Sequence, residues 1–361
     1  MYKEPVIAIT MGDPAGIGPE VIVKALYSGR SKGQFIKNPP LYNESDESLY
    51  SFNFHPLIIG NLSLLSKTAK DLGCDIKFTK VSSAEDARAH SFNDGFPISV
   101  FDMENLNPDN VEYGQISEDC GRASVEWILE AGRMALNKEI DAIATAPIHK
   151  EAAQLAGYKD IGHMELLQKL TGAKEVATML TADNLRVVHL TTHRSLARAV
   201  EFVTKENVLA KIELTYNSFK EWGFVNPRIA VAALNPHGGD GGLIGKEELE
   251  EIAPAVKEAF ATGINVSGPI PADSVFPQAI SGLYDVVIVL YHDQGHIPIK
   301  VQDFAGSISI NLGFPFTRTS VDHGTAFDIA GKGIADATGM IKTLEATICI
   351  ASTGNLPPYG Y

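Results

Sequence analysis

A chain of 361 residues, 45% of them hydrophobic and 20% charged, is long enough for one large domain or two ordinary ones, and its composition is that of a globular protein. The formal net charge of −14 argues against a nucleic-acid partner, which requires a basic face, yet leaves room for an anionic small molecule held by a few local cations. No apolar run approaches the roughly 20 residues that cross a bilayer, there is no signal-peptide pattern, and Cys74, Cys120 and Cys349 are scattered without a CxxC pair, so no membrane partner and a reducing cytoplasm are expected.

The first predicted strand is Pro5 to Met11, which runs into Gly12-Asp13-Pro14-Ala15-Gly16-Ile17-Gly18-Pro19-Glu20 and then a helix through about Tyr27. Three glycines ahead of a helix bring backbone N–H groups close to an anion. The spacing is not GxGxxG, so an ordinary strand-to-helix turn explains the segment as well. Residues 28–55 read as a polar, turn-rich excursion, with a hairpin as one form for it. Strands follow at Pro56–Gly60, Ile76–Val81 and Pro97–Phe101, with a helix over Leu62–Leu72. Val125, Ile128, Leu129, Gly132 and Leu136 recur at helical spacing within Cys120–Asn137, and Asp141–Ala146 is a buried strand.

The alternation continues with a helix at Met164–Thr171 and strands at Val176–Leu180 and Leu185–Leu190. Next come a helix at Asn207–Trp222, a strand at Arg228–Leu234, a helix at Lys246–Thr262 and a strand at Ile264–Val266. Val286 to Leu290 is a continuous apolar run, the mark of a strand covered on both faces. It stops at Tyr291-His292-Asp293-Gln294-Gly295, read here as a turn past the strand's carboxyl end, where open α/β sheets hold ligands. A turn whose polar groups merely cap the strand reads equally well in isolation. The rhythm as a whole predicts an α/β protein with a largely parallel sheet, and no linker marks a domain boundary.

Three histidines each follow a predicted strand: His193, His237 and His292. In a parallel sheet those strand ends share an edge, and three imidazoles with an open position suit catalytic zinc better than magnesium, which prefers oxygen. Spacing alone does not bring them together. Asp273, on the proline-stiffened loop Gly268–Asp273, is placed to meet the same cleft, and Lys300 and Arg318 are candidate clamps for a phosphate or carboxylate.

The segments GHMELL around His163, TTH ending at His193, LNPHGG at 234–239, GPIPAD at 268–273, YHDQG at 291–295 and RTSVDHGTA at 318–326 together resemble the 4-hydroxythreonine-4-phosphate dehydrogenase family. The resemblance spans nearly the whole chain apart from the 28–55 excursion. GDPAGIGPE at 12–20 and HGTAFDIAGKGIAD at 323–336 are similar to motifs of isopropylmalate and isocitrate dehydrogenases. The resemblance implies an isocitrate/isopropylmalate dehydrogenase-like α/β fold with two α/β/α domains and a cleft between them. Residues 1–145 with 305–361 would form the first domain, with the cofactor loop, and residues 146–304 the second, with the metal histidines and dimer contacts.

It further implies NAD at Gly12, His323, Gly324, Thr325 and Asp328, and a small phosphorylated anion held by His163, Met164, Lys300, Ser309 and Arg318. A divalent metal, zinc or alternatively cobalt, manganese or magnesium, falls to His193, His237 and the partner subunit's His292 in a homodimer with shared sites. Met164 and Ser309 depart from the family's threonine and asparagine. The implied reaction is NAD- and metal-dependent oxidation, with decarboxylation, of a phosphorylated four-carbon hydroxy acid such as 4-phosphohydroxy-L-threonine. Asp273, Asp293 and Lys150 are the candidate proton acceptors. Other branches act on D-threonate or D-erythronate 4-phosphate, or on a terephthalate cis-dihydrodiol. A phosphate acyltransferase or an inactive metal-binding homologue is the reading from another class.

Asp328 lies five residues after His323, where related dehydrogenases place an acid that accepts hydrogen bonds from the adenosine ribose hydroxyls; a helix cap at Ile329 is the alternative use for it. Replacing Asp328 by Lys is expected to shift the NADP-to-NAD ratio of kcat/KM by at least about tenfold, or ~1.4 kcal/mol. Steady-state kinetics with both cofactors checks this, and an unchanged ratio would remove Asp328 from cofactor choice.

Overall fold

The computed structural model describes residues 4–31 and 53–357. Most of the 28–55 excursion, with the hairpin considered for it, lies outside the described residues. The strands in chain order are β1 (Val6–Thr10), β2 (His55–Ile59), β3 (Phe78–Lys80), β4 (Ile98–Phe101), β5 (Ala142–Thr145), β6 (Ala177–Ala182), β7 (Leu185–His189), β8 (Ile229–Ala232), β9 (Val266–Ile270), β10 (Val286–Val289), β11 (Ile308–Leu312) and β12 (Thr317–Val321). The chain forms two compact units, residues 1–174 with 314–353 and residues 175–313 with 354–361.

In the first unit the order is β3-β4-β2-β1-β5-β12, and every pair is parallel. β1, β2 and β5 are buried along their whole length, as their predominantly apolar sequences require of strands covered on both faces. The helix Glu118–Leu136 starts where Ser117 accepts a hydrogen bond from the Cys120 N–H, and Glu118 and Asp119 occupy its positive end. Two glycines let neighbouring helices approach it. A Cβ on Gly121 would lie 2.0 Å from the Ala152 carbonyl oxygen, and one on Gly132 would lie 2.5 Å from Leu170. This packing holds Lys150–Leu155 and His163–Thr171 in the first unit, whereas the sequence reading divided the chain after residue 145.

In the second unit the order is β11-β6-β7-β10-β8-β9. The pairing is largely parallel, as expected, through β7, β10, β8 and β9, but not wholly so, because β6 runs antiparallel to both β7 and β11. The cause is local. Asp183 and Asn184 alone join β6 to β7, and Asp183 takes the left-handed backbone (φ 46°) that a two-residue hairpin turn requires. Arg228 ties the starts of β8 and β10 by donating to both carboxylate oxygens of Asp285, at 3.1 and 2.7 Å.

Tyr291–Gly295, expected as a turn, instead leads into the helix His292–Gln302, and Asp273 sits in the first turn of the helix Ala272–Ile280 rather than on a loop. Pro277 and Pro298 lie inside these two helices, where proline is unexpected. Among the described residues no helix is long and apolar enough to cross a membrane.

Candidate active site

In the first unit the carboxyl ends of β1, β5 and β12 stand side by side, and the loops that leave them interlock. Gly12 has φ 73°, and a Cβ there would lie 2.4 Å from the Pro147 carbonyl oxygen. The next N–H, from Asp13, donates to that same oxygen at 2.9 Å. Gly16 presses against Thr325, and the Ile17 N–H donates to the Thr325 carbonyl at 3.0 Å. The His149 ring stacks on Phe327 at 4.5 Å. Farther along, Glu20 Oε1 accepts from the Ala335 N–H at 2.7 Å and from Lys24 Nζ at 2.8 Å, and Lys24 also donates to the carbonyls of Gly333 and Ala335. Both ends of the loop 323–336 are thereby fixed to the segment 12–24.

On this loop Thr325 is buried, His323 is half-buried with Nδ1 2.9 Å from the Gly324 carbonyl oxygen, and Gly324 and Asp328 are exposed. No helix begins at Ile329. The chain turns through Gly331, and the next helix is Thr338–Thr353, so Asp328 does not serve as the cap considered above. Around Gly324 there is open space where a Cβ would stand.

Asp13 is fully buried, and burial pushes its carboxyl up to about 6 against the downward pull of the Ala15 N–H and of His149. Its Oδ1 accepts from Ala15 at 2.9 Å, while its Oδ2 is sealed from solvent without a hydrogen-bond partner among the described residues. Burial also raises the neighbouring Cys120 thiol to about 11, which makes it unreactive.

Arg318, in β12, is 5% exposed and donates from Nη2 to Thr145 Oγ1 of β5 at 2.6 Å. Burial lowers its guanidinium to about 9, opposed by Glu165, so it remains a cation at neutral pH. Burial first, and the Arg318 charge second, hold His163 well below the usual imidazole value and therefore neutral. Met164 is half-buried beside it, and Lys150 is exposed at the start of its helix.

In the second unit β7, β10 and β8 are parallel neighbours, so His193, His292 and His237 follow strand ends on one edge, as the sequence predicts. The His193 and His292 rings are 6.0 Å apart. His292 Nδ1 lies 2.7 Å from Asp293 Oδ1, and the exposed His237 places Nδ1 3.5 Å from Asp240 Oδ2. A carboxylate on Nδ1 is the usual outer partner of a metal-binding imidazole and leaves Nε2 for the ion. His237 heads a run of left-handed residues through Gly241 that carries it outward. Among the described residues no three His, Cys, Asp or Glu side chains form a metal-holding group. One chain thus brings two imidazoles near each other and keeps the third apart.

Lys300 Nζ donates to Ser307 Oγ at 2.8 Å and lies 5.3 Å from the Phe304 ring centroid. Ser309 is buried in β11 opposite Leu180. Asp273 is exposed, with Ser274 Oγ at 3.3 Å. Sequence reasoning passed over Asp13, Thr145, His149, Glu20 and Ser307. Only Asp13 and Glu20 carried a signal, as charged residues within an otherwise apolar, glycine-rich turn.

A family model described as pyridoxal phosphate biosynthetic protein PdxA matches residues 53–347. The D-threonate 4-phosphate dehydrogenase of Cupriavidus necator is 41% identical over 342 residues, 94% of this chain and 96% of that protein. A solved structure of a 4-hydroxythreonine-4-phosphate dehydrogenase from Klebsiella pneumoniae matches with a TM-score of 0.81 at 36% identity, covering 97% of this chain and 98% of that one. The corresponding structure from Burkholderia phymatum gives 0.79 at 39% identity, with 96% and 98% covered.

The buried Asp13 yields a test of sign. Its folded-state value lies above the ordinary carboxylate value, so the fold favours the neutral acid; the stability this gives is complete below about pH 4 and is lost as pH rises through about 6. Replacing Asp13 by Asn should leave stability near the parent's at about pH 4 and exceed it by ~1–3 kcal/mol above about pH 7. Urea unfolding across that range checks this; a gap that does not widen with pH would show that Asp13 is not buried as an acid.

Proposed function

The chain belongs to the pyridoxal phosphate biosynthetic protein PdxA family, and on that premise we propose that it oxidises, with NAD, the hydroxyl β to the carboxylate of a phosphorylated four-carbon hydroxy acid, with loss of CO₂. It is an oxidoreductase acting on a CH–OH group, and its family implies NAD(P) and a divalent metal. The observation that carries the substrate class is the buried, charged Arg318 held on Thr145. A guanidinium out of water is a strong, planar anchor for a phosphate. Neutral His163 adds a hydrogen bond there without a second charge. The names of the relatives point to D-threonate 4-phosphate and 4-hydroxythreonine 4-phosphate, each a four-carbon acid with a terminal phosphate.

When bound, NAD supplies the hydride acceptor, and a divalent metal supplies Lewis acidity to the hydroxyl and then to the ketone it becomes. His193, His237 and His292 would hold the metal, and their nitrogens favour zinc over magnesium. Asp293 is engaged with His292 Nδ1 and so acts as an orienting group. Asp273, exposed on the helix after β9, is the acceptor we assign to the hydroxyl proton, ahead of Lys150. Lys300, fixed by Ser307, serves as a point charge for the anion. Asp328 and the loop 323–328 take the adenosine end of NAD.

Exposed Leu243, Val301 and Phe304, at 90, 82 and 78%, support a homodimer formed through the second unit. The free cysteines Cys74, Cys120 and Cys349 support a cytoplasmic setting.

Purified, metal-loaded protein should reduce NAD with a phosphorylated four-carbon acid and release CO₂ in equal amount. Removing the phosphate from the substrate, or replacing Arg318 by Met, should lower kcat/KM by about 100-fold, the scale for breaking a buried charge pair. Equal turnover of the dephosphorylated acid would reject the substrate class, and NADH without CO₂ would restrict the reaction to oxidation.

Inactive His193→Ala and His292→Ala subunits decide whether the site is shared. If the third ligand is the partner subunit's His292, random mixing restores about a quarter of parental activity, because one site of each heterodimer is intact. No recovery after confirmed exchange would place His193 and His292, 6.0 Å apart within one chain, in the same subunit's site.

A further inference from the structure

Four imidazoles of the second unit form a file that the sequence reading did not connect. His189 ends β7, is 2% exposed, and its ring centroid is 4.7 Å from that of His296. His296 lies face to face with His292, the ring centroids 3.6 Å apart and the planes within 9°. His292 in turn stands 6.0 Å from His193.

The helix His292–Gln302 produces this arrangement. Residues four apart share a helix face, which sets His296 directly over His292. His296 Nδ1 lies 3.1 Å from the His292 carbonyl oxygen, so its ring is held at its edge as well as its face. Gly295 clears the ground behind, since a Cβ there would fall 2.4 Å from His189 Nε2. His189 is then a fixed wall against which His296 rests. His292 is gripped twice, at its Nδ1 edge by Asp293 and across its face by His296.

We propose that His296 is a positioning residue that fixes the ring plane of His292, and with it the direction in which His292 Nε2 meets the catalytic cation. This rests on the reading of His292 as a metal ligand. A carboxylate at Nδ1 selects the tautomer but lets the ring swing about that hydrogen bond. A parallel ring at van der Waals distance stops the swing. The flat face of residue 296 is therefore the working feature, more than its nitrogen atoms.

Titration of the metal-free enzyme with Co²⁺, followed through the visible absorption of the bound ion, separates the possibilities. His296→Leu should weaken Co²⁺ binding by about tenfold and alter the band shape, the scale on which outer partners of ligands act. His296→Gln keeps a donor near the His292 carbonyl but has no flat face, and should behave like the Leu variant. His296→Phe keeps the face and should bind within about threefold of the parent, with the parent's spectrum. Leu and Gln variants that match the parent, or a Phe variant as weak as Leu, would overturn the proposal. If the Leu variant does not fold, the contrast between Phe and Gln makes the same decision. A His292→Ala variant that binds Co²⁺ as the parent does would instead overturn the ligand role of His292, and the two failures are distinct.

Discussion

A guanidinium removed from water must be answered by the chain around it, and in the first unit the burial of Arg318 sets the terms for everything near it. Burying a charge without partners costs several kcal/mol. The parallel pairing of β12 with β5 brings Thr145 to the guanidinium, and Thr145 Oγ1 in turn lies 3.3 Å from the Thr319 carbonyl, to which it donates. Ser320 Oγ donates to the Thr145 carbonyl, so both strands are cross-tied at the level of the charge. Burial, with the Arg318 charge second, keeps His163 neutral. One cation is thus held ready, and the neighbouring imidazole cannot compete for an anion by protonating.

The second unit handles its chemistry in the opposite way. Apart from the buried His189, its imidazoles and acids at the strand ends are exposed or half-buried, and their order comes from pairwise contacts: Asp293 on His292, Asp240 near His237, Ser307 on Lys300. Such contacts orient a side chain without burying it.

Much of this was legible in the sequence because parallel strands covered on both faces are written as unbroken apolar runs, and the residue that ends such a run stands at the ligand-binding edge. That logic placed His193, His237 and His292 correctly along β7, β8 and β10. It failed where a local signal competed. The prolines of Gly268–Asp273 and Pro298 made helix starts read as loop and turn, and the two-residue link Asp183-Asn184 gave no sign that β6 runs antiparallel. The alternative use of Asp328, as a cap for a helix from Ile329, fell because the chain makes turns there. Contacts distant along the chain, such as Glu20 with the Ala335 N–H or His189 with His296, leave no mark in composition or period. The place of residues 146–174 in the first unit was hidden for the same reason, since it depends on what Gly121 and Gly132 allow to approach.

The first unit draws its strands from two separated stretches of chain, with β6 through β11 falling between β5 and β12. During synthesis β5 therefore waits with one hydrogen-bonding edge open while β6 through β11 are made. At ordinary translation speeds of about 5–20 residues per second the delay is roughly ten to thirty seconds. All six strands of the second unit emerge inside that interval and can pair among themselves as they appear. The exposed edge of β5 is alanine-, isoleucine- and threonine-rich and carries no charge to deter a foreign strand. The strand that will later pair with the one carrying Arg318 thus stays open to a foreign partner until β12 emerges.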